Sequence, residues 1–167
     1  MGRIIPDMYR VVSLLLILIV LPVLLSGPEP RLAPAVEASP ACAPTRPDAL
    51  GPFFKANAPL RAKVGGGHVL KGVVRSAPGC GPIAGARLEF WLAGPNGQYD
   101  DDHRATVLAA AAGAYRFESN YPPPYAGRPS HIHVRVSAER HQTLVTQYYP
   151  PPNSTEGTFD LVLTLLR

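Results

Sequence analysis

Twenty prolines and fifteen glycines break the 167-residue chain into short apolar runs. A chain punctuated in this way has many places to turn and little room for a helical bundle. The runs themselves read as strands. Val69–Val74 is apolar and β-branched, and Gly79-Cys-Gly-Pro82 is a turn. Residues 86–92 alternate, with Leu88, Phe90 and Leu92 on one side and Arg87, Glu89 and Trp91 on the other. Ala114–Ser119, His131–Ala138, Leu144–Tyr149 and Thr158–Leu166 complete at least six strands. Val107–Ala112 is tempting as a helix, but six residues ended by Gly113 are too few to stand alone. The expectation is an all-β chain, one antiparallel β-sandwich domain of the size that 167 residues allow.

The N-terminus reads differently. Arg3 and Arg10 precede the apolar run Val11–Leu25, and small residues follow at Ala33, Ala35 and Ala38. This is the pattern of a secretory signal cut near Ala35 or Ala38, with an uncleaved membrane anchor as the second choice. No cysteine follows the run closely, which argues against a lipoprotein. The expected layout is a signal peptide or membrane tether at 1–38, a Pro/Ala-rich arm at 39–50 and the sandwich at 51–167. Cys42 and Cys80 remain after export, and in an oxidising compartment a single disulfide is the simplest expectation, with free thiols or a bridge between chains as alternatives. The net charge of +4 is scattered, without the basic run or interleaved aromatics of a nucleic-acid surface.

Chemistry concentrates between Tyr121 and His133. If His131-Ile-His133 lies on a strand, both imidazoles project to one side while Ile132, Val134 and Val136 project to the other, so two nitrogens can reach one metal ion. Three prolines before Tyr125 and one after Arg128 leave the tyrosine little freedom. A lone His-x-His is more often a polar strand face than a ligand pair, and a tyrosine after prolines is more often packing. The site therefore needs other parts, and Tyr99, just beyond the Trp91 strand, and Gln147, on the strand after the histidines, are candidates. His68, His103 and His141 read as loop or surface residues.

The pieces Cys42-Ala-Pro-Thr with Gly51-Pro-Phe-Phe54, Gly85-Ala-Arg-Leu-Glu-Phe-Trp91, Gly97-Gln-Tyr99, Tyr125-Ala-Gly-Arg128-Pro-Ser-His131-Ile-His133 and Thr146-Gln147-Tyr148-Tyr149, in this order, resemble the intradiol ring-cleavage dioxygenases. The resemblance covers roughly residues 42–150. It implies one non-haem Fe(III) per chain held by Tyr99, Tyr125, His131 and His133. It also implies that Tyr125 is displaced by substrate, that Arg128 stabilises charge moving to the ring, and that Gln147 orients substrate or oxygen. The substrates implied are a catechol-type aromatic and O2, and the product a cis,cis-muconate-type diacid. Tyr121 is a near neighbour of the tyrosine ligand, but the Pro-Tyr-x-Gly-Arg-Pro context favours Tyr125.

Charge arithmetic supports the donor set on its own terms. A phenol of ordinary pKa ~10 deprotonates at neutral pH only beside a strong cation. Two phenolates and a hydroxide balance a 3+ ion, so a buried site stays neutral. The rival readings are an exported β-sandwich binding module with a vestigial metal site, and a copper or zinc oxidoreductase. The second would require further histidines or a cysteine near the pair.

Overall fold

The structure, a computed structural model, describes Gly2 and residues 42–167. The expected signal or anchor, and the first residues of the arm, lie outside the described residues. No helix among the described residues is long and apolar enough to cross a membrane.

The described chain is a sandwich of two sheets. One is built around β1 (His68–Ala77), flanked on one edge by β2 (Gly81–Pro82) and β5 (Ala114–Ser119). On the other edge β8 (Glu156–Thr158) and β9 (Leu161–Thr164) pair with successive halves of β1. The second sheet runs β4-β3-β6-β7, from β4 (Arg104–Leu108), β3 (Arg87–Trp91), β6 (Ile132–Ser137) and β7 (Leu144–Tyr148). All its pairings are antiparallel.

The expected all-β sandwich is present, with one refinement: the pairings of β1 with β8 and β9 are parallel, so the first sheet is mixed. Two expectations are corrected. The run Thr158–Leu166 is not one strand, because Asp160 accepts the Val73 amide at 2.9 Å and Phe159 bonds Lys71, which offsets the chain between β8 and β9. His68 is neither loop nor surface, since it opens β1 and is buried under Tyr148.

The core fills the space between the sheets. Leu70 and Val74 of β1, Leu88 and Phe90 of β3, Ile132, Val134 and Val136 of β6, and Leu161 and Leu163 of β9 are all buried in one cluster. The expected alternation of β3 holds, and Phe90 stacks on Phe117 of β5 with centroids 4.3 Å apart, joining the two sheets. Each such side chain contributes about 1.5–3 kcal/mol by leaving water. Cys42 and Cys80 form a disulfide with a Cα separation of 5.2 Å. It closes 38 residues of sequence, a constraint worth about 4 kcal/mol on the chain-entropy account.

The arm continues from this bridge along the sandwich. The Thr45 amide bonds Val162 O at 3.0 Å and the Asp48 amide bonds Val145 O at 2.9 Å, fastening the segment to β9 and then to β7.

Candidate metal centre

The outward face of the second sheet carries the site. Strand register sets Trp91, His133 and Gln147 side by side across β3, β6 and β7. The His133 ring stacks on Trp91, with centroids 4.8 Å apart and planes 5° from parallel. Phe54 packs edge-on against Trp91 at 5.1 Å, and Arg135, paired with the buried Glu89, lies over Phe54. On the open side, Gly51 has φ +71° and an added Cβ there would stand 3.0 Å from the His133 ring. A side chain at this position would be both strained and crowded.

His131 stands one residue before β6, its ring 4.8 Å from that of His133. Its Nδ1 lies 2.7 Å from Pro129 O, a carbonyl that can only accept, so Nδ1 carries the proton and Nε2 keeps its lone pair. That Nε2 is 3.1 Å from the Tyr99 hydroxyl. Tyr99 comes from the loop after β3, its ring 5.3 Å from Tyr125 and 6.0 Å from His133. Tyr125 sits on a two-residue turn closed by reciprocal backbone bonds with Arg128, with Ala126 at φ 47° and Gly127 at φ 76°. Phe53 holds the two phenols, stacked on Tyr99 at 4.3 Å and edge-on to Tyr125 at 5.3 Å.

Burial prepares these groups electrostatically. It pushes the Tyr99 hydroxyl up to about 12, helped by Tyr125 and opposed by Arg128. Burial, with His131 and Arg128 nearby, drops His133 to about 4, and it lowers His131 too. Both imidazoles are therefore neutral at pH 7, the His131 Nε2 lone pair accepting from the Tyr99 hydroxyl, and His133 Nδ1 is buried with no hydrogen-bond partner.

Around this cluster, Arg128 Nη2 donates to Gln147 Oε1 at 2.8 Å and to the Tyr149 hydroxyl at 2.9 Å. Gln147 Nε2 donates to Ala49 O at 2.6 Å, and Tyr149 donates to Asp48 Oδ2 at 2.9 Å. The Ala49 amide holds the Asp48 carboxyl below its usual range, with Tyr149 adding to the effect against the opposing cost of burial. A cleft of about 530 Å³ is lined by Tyr121, Pro124, Pro129, Ser130, Tyr149 and Pro152, and none of the four candidate donors borders it.

The structure thus brings together all six residues singled out in the sequence: Tyr99, Tyr125, His131 and His133 in one aromatic cluster, and Arg128 with Gln147 beside it. Tyr121 turns away, with its ring against His68 and its hydroxyl towards Pro150 O. His103 is held by Asp100 in the loop after Tyr99, and His141 bonds Ser76 and Glu139 O. Asp48, Phe53 and Tyr149 are the parts that sequence left without a role. Asp48 and Tyr149 stand 101 residues apart, and no local pattern links them.

Among the described residues, no group of three or more His, Cys, Asp or Glu gathers to hold a metal. The histidine pair has phenols for neighbours instead. This set suits a hard, highly charged ion better than copper or zinc.

No protein-family model matches the chain. A chlorocatechol 1,2-dioxygenase of Pseudomonas sp. (strain P51) is 30% identical over 139 residues, 63% of this chain and 55% of that protein. An intradiol ring-cleavage dioxygenase of Aspergillus niger is 28% identical over 144 residues, 64% and 45% of the two chains. The chain therefore spans about half the length of the curated relatives it matches. Among solved structures, the dioxygenase domain of a dioxygenase and carbohydrate-binding protein fusion from Streptomyces sp. SirexAA-E superposes with a TM-score of 0.67 at 28% identity, over 74% of this chain and 99% of that domain.

Proposed function

Starting from this chain's kinship in sequence and fold with the intradiol ring-cleavage dioxygenases, we propose that it cleaves a catechol-type aromatic with O2 at one Fe(III) per chain, giving a cis,cis-muconate-type diacid. Tyr99, Tyr125, His131 and His133 would hold the ion. The observation that carries this reading is the convergence of two phenols and two neutral imidazoles, with the Tyr99 hydroxyl 3.1 Å from His131 Nε2. A phenol raised to about 12 by burial stays protonated in an empty site, and a trivalent cation supplies the charge that reverses this. The donors therefore fit the ion, and the Pro129 carbonyl fixes the His131 tautomer that leaves a lone pair for it.

Bound there, the ferric ion would act as a Lewis acid and template that opens a chelated catechol ring to attack by O2. The protein supplies the rest. Tyr125 is the base that accepts a catechol proton, and its place on a turn lets it move without disturbing a strand. Tyr99 and the two histidines hold the site while it does so. Arg128 offers a fixed positive charge to the carbon that gains electron density, and Gln147, with its amide pinned to Ala49 O, orients the reactants. Export through residues 1–38 is part of the same proposal, supported by the Cys42–Cys80 disulfide, which persists in an oxidising compartment.

Metal analysis with a visible spectrum is the decisive test. Purified protein is expected to hold one iron per chain, to show the red-brown tyrosinate-to-iron band, and to convert catechol under air to a ring-opened diacid. A colourless, zinc-loaded protein that leaves catechols intact would end the reading.

A further inference from the structure

The arm does more than cover the sandwich. After the disulfide at Cys42 and the bonds at Thr45 and Asp48, it delivers the Asp48 carboxylate to the hydroxyl of Tyr149, which also meets Gln147 Oε1 at 3.1 Å and Arg128 Nη2 at 2.9 Å. A phenol has one proton to give, and two of these neighbours are acceptors. The carboxylate takes it, because a hydrogen bond to a charged oxygen is about twice as strong as one to a neutral amide. The lone pairs of Tyr149 are then left for Arg128, which can only donate.

The same logic fixes Gln147. Its Nε2 is 2.6 Å from Ala49 O, so the amide cannot be flipped, and Oε1 must accept from Arg128. Arg128 Nη2 carries two hydrogens, and both are now assigned, one to Gln147 and one to Tyr149. The three remaining hydrogens, on Nη1 and Nε, have no protein partner among the described residues. The guanidinium is gripped at one end and presents the other.

We propose that Asp48 and Tyr149 are positioning residues of this site: the arm's carboxylate sets the direction of the Tyr149 hydroxyl, and that hydroxyl locks Arg128 with its Nη1 and Nε edge turned to the substrate. The inference rests on the reading of Arg128 as the cation that faces the reacting ring. Neither Asp48 nor Tyr149 needs to touch substrate.

The test uses full-length, iron-loaded Tyr149→Phe, Asp48→Ala and Asp48→Asn with catechol, together with 15N NMR of the arginine side chains in iron-free protein. Tyr149→Phe is expected to lower kcat roughly 10-fold with KM within a factor of about two, while iron content, visible band and melting temperature stay as in the wild type. Asp48→Asn keeps an oxygen that accepts the phenol proton, so it should lose less than Asp48→Ala. The Arg128 Nη signals, separate while Gln147 and Tyr149 both hold Nη2, should coalesce at a lower temperature in Tyr149→Phe, where Gln147 holds it alone. An unchanged coalescence temperature in that variant would overturn the proposal, as would a kcat equal to wild type. If the wild-type chain turns over no catechol, the proposed function fails by itself, and the NMR comparison still decides whether Asp48 and Tyr149 hold Arg128.

Discussion

The two imidazoles and the two phenols of the site are held by different means. His133 is on β6 with its backbone in register between β3 and β7, its ring flat on Trp91, and His131 is one residue outside the same strand. Tyr99 and Tyr125 come from a loop and a turn, and Phe53 gathers them by aromatic contact. A side chain on a paired central strand resists movement, whereas a turn held by two backbone bonds can open at little cost. The contrast teaches that the two imidazoles sit where the ladder resists movement, while both phenols sit on segments that can shift without breaking it.

Breaking the rigid half should have the largest effect. His133→Ala is expected to abolish iron binding, the visible band and turnover together, read by metal analysis and absorbance; a coloured, active variant would refute the assignment. Breaking the mobile half should separate binding from turnover. Tyr125→Phe should keep iron through Tyr99 and the histidines while kcat drops on the order of 100-fold or more, measured in parallel on one preparation. Loss of iron along with activity would show that Tyr125 is as structural as His133.

Phe53→Ala sharpens the comparison further. It removes the stack on Tyr99 and should cost about 1 kcal/mol in denaturant unfolding, with a modest fall in iron affinity against a competing chelator. Loss of cooperative unfolding would mean that Phe53 supports the fold instead of the phenols.

The smallest expected effect is a pH dependence of the metal-free protein. His133 titrates near 6.5 when unfolded and at about 4 when folded, so between those values the unfolded chain binds more protons and stability falls as pH falls. His131 shifts in the same direction. Thermal melts should be flat from pH 8 to about 6.5 and decline from there to pH 4, with His133→Asn weakening the decline. A melting temperature that rises on acidification through this window would contradict the burial argument.

Much of this was legible in the sequence because it is periodic or local. The alternation of residues 86–92 placed Leu88 and Phe90 in the core and Trp91 on the site face, and His-x-His placed both rings on the side opposite Ile132 and Val134. The β5 strand matches its expected span, Ala114–Ser119. What escaped is decided by distant partners. Arg104–Leu108 is a strand because it pairs with β3, Val107 opposite Leu88, a partner that its own residues do not announce. An apolar run carries no sign of its direction, so the parallel pairing of β9 with β1 could not be read. The Asp48–Tyr149 contact joins segments that share no local pattern, and only the folded arm brings them together.

The arm reaches the site from a covalent anchor, since the cystine at Cys42 lies six residues before the carboxylate that meets Tyr149. Made in a reducing cytosol, the chain would fold with that strap fastened only by its hydrogen bonds. Material from such a host and material from an oxidising secretory route would then be two preparations of one polypeptide, alike in their ligands and unlike in how firmly the arginine is aimed. Comparing activities between hosts calls for a thiol count first.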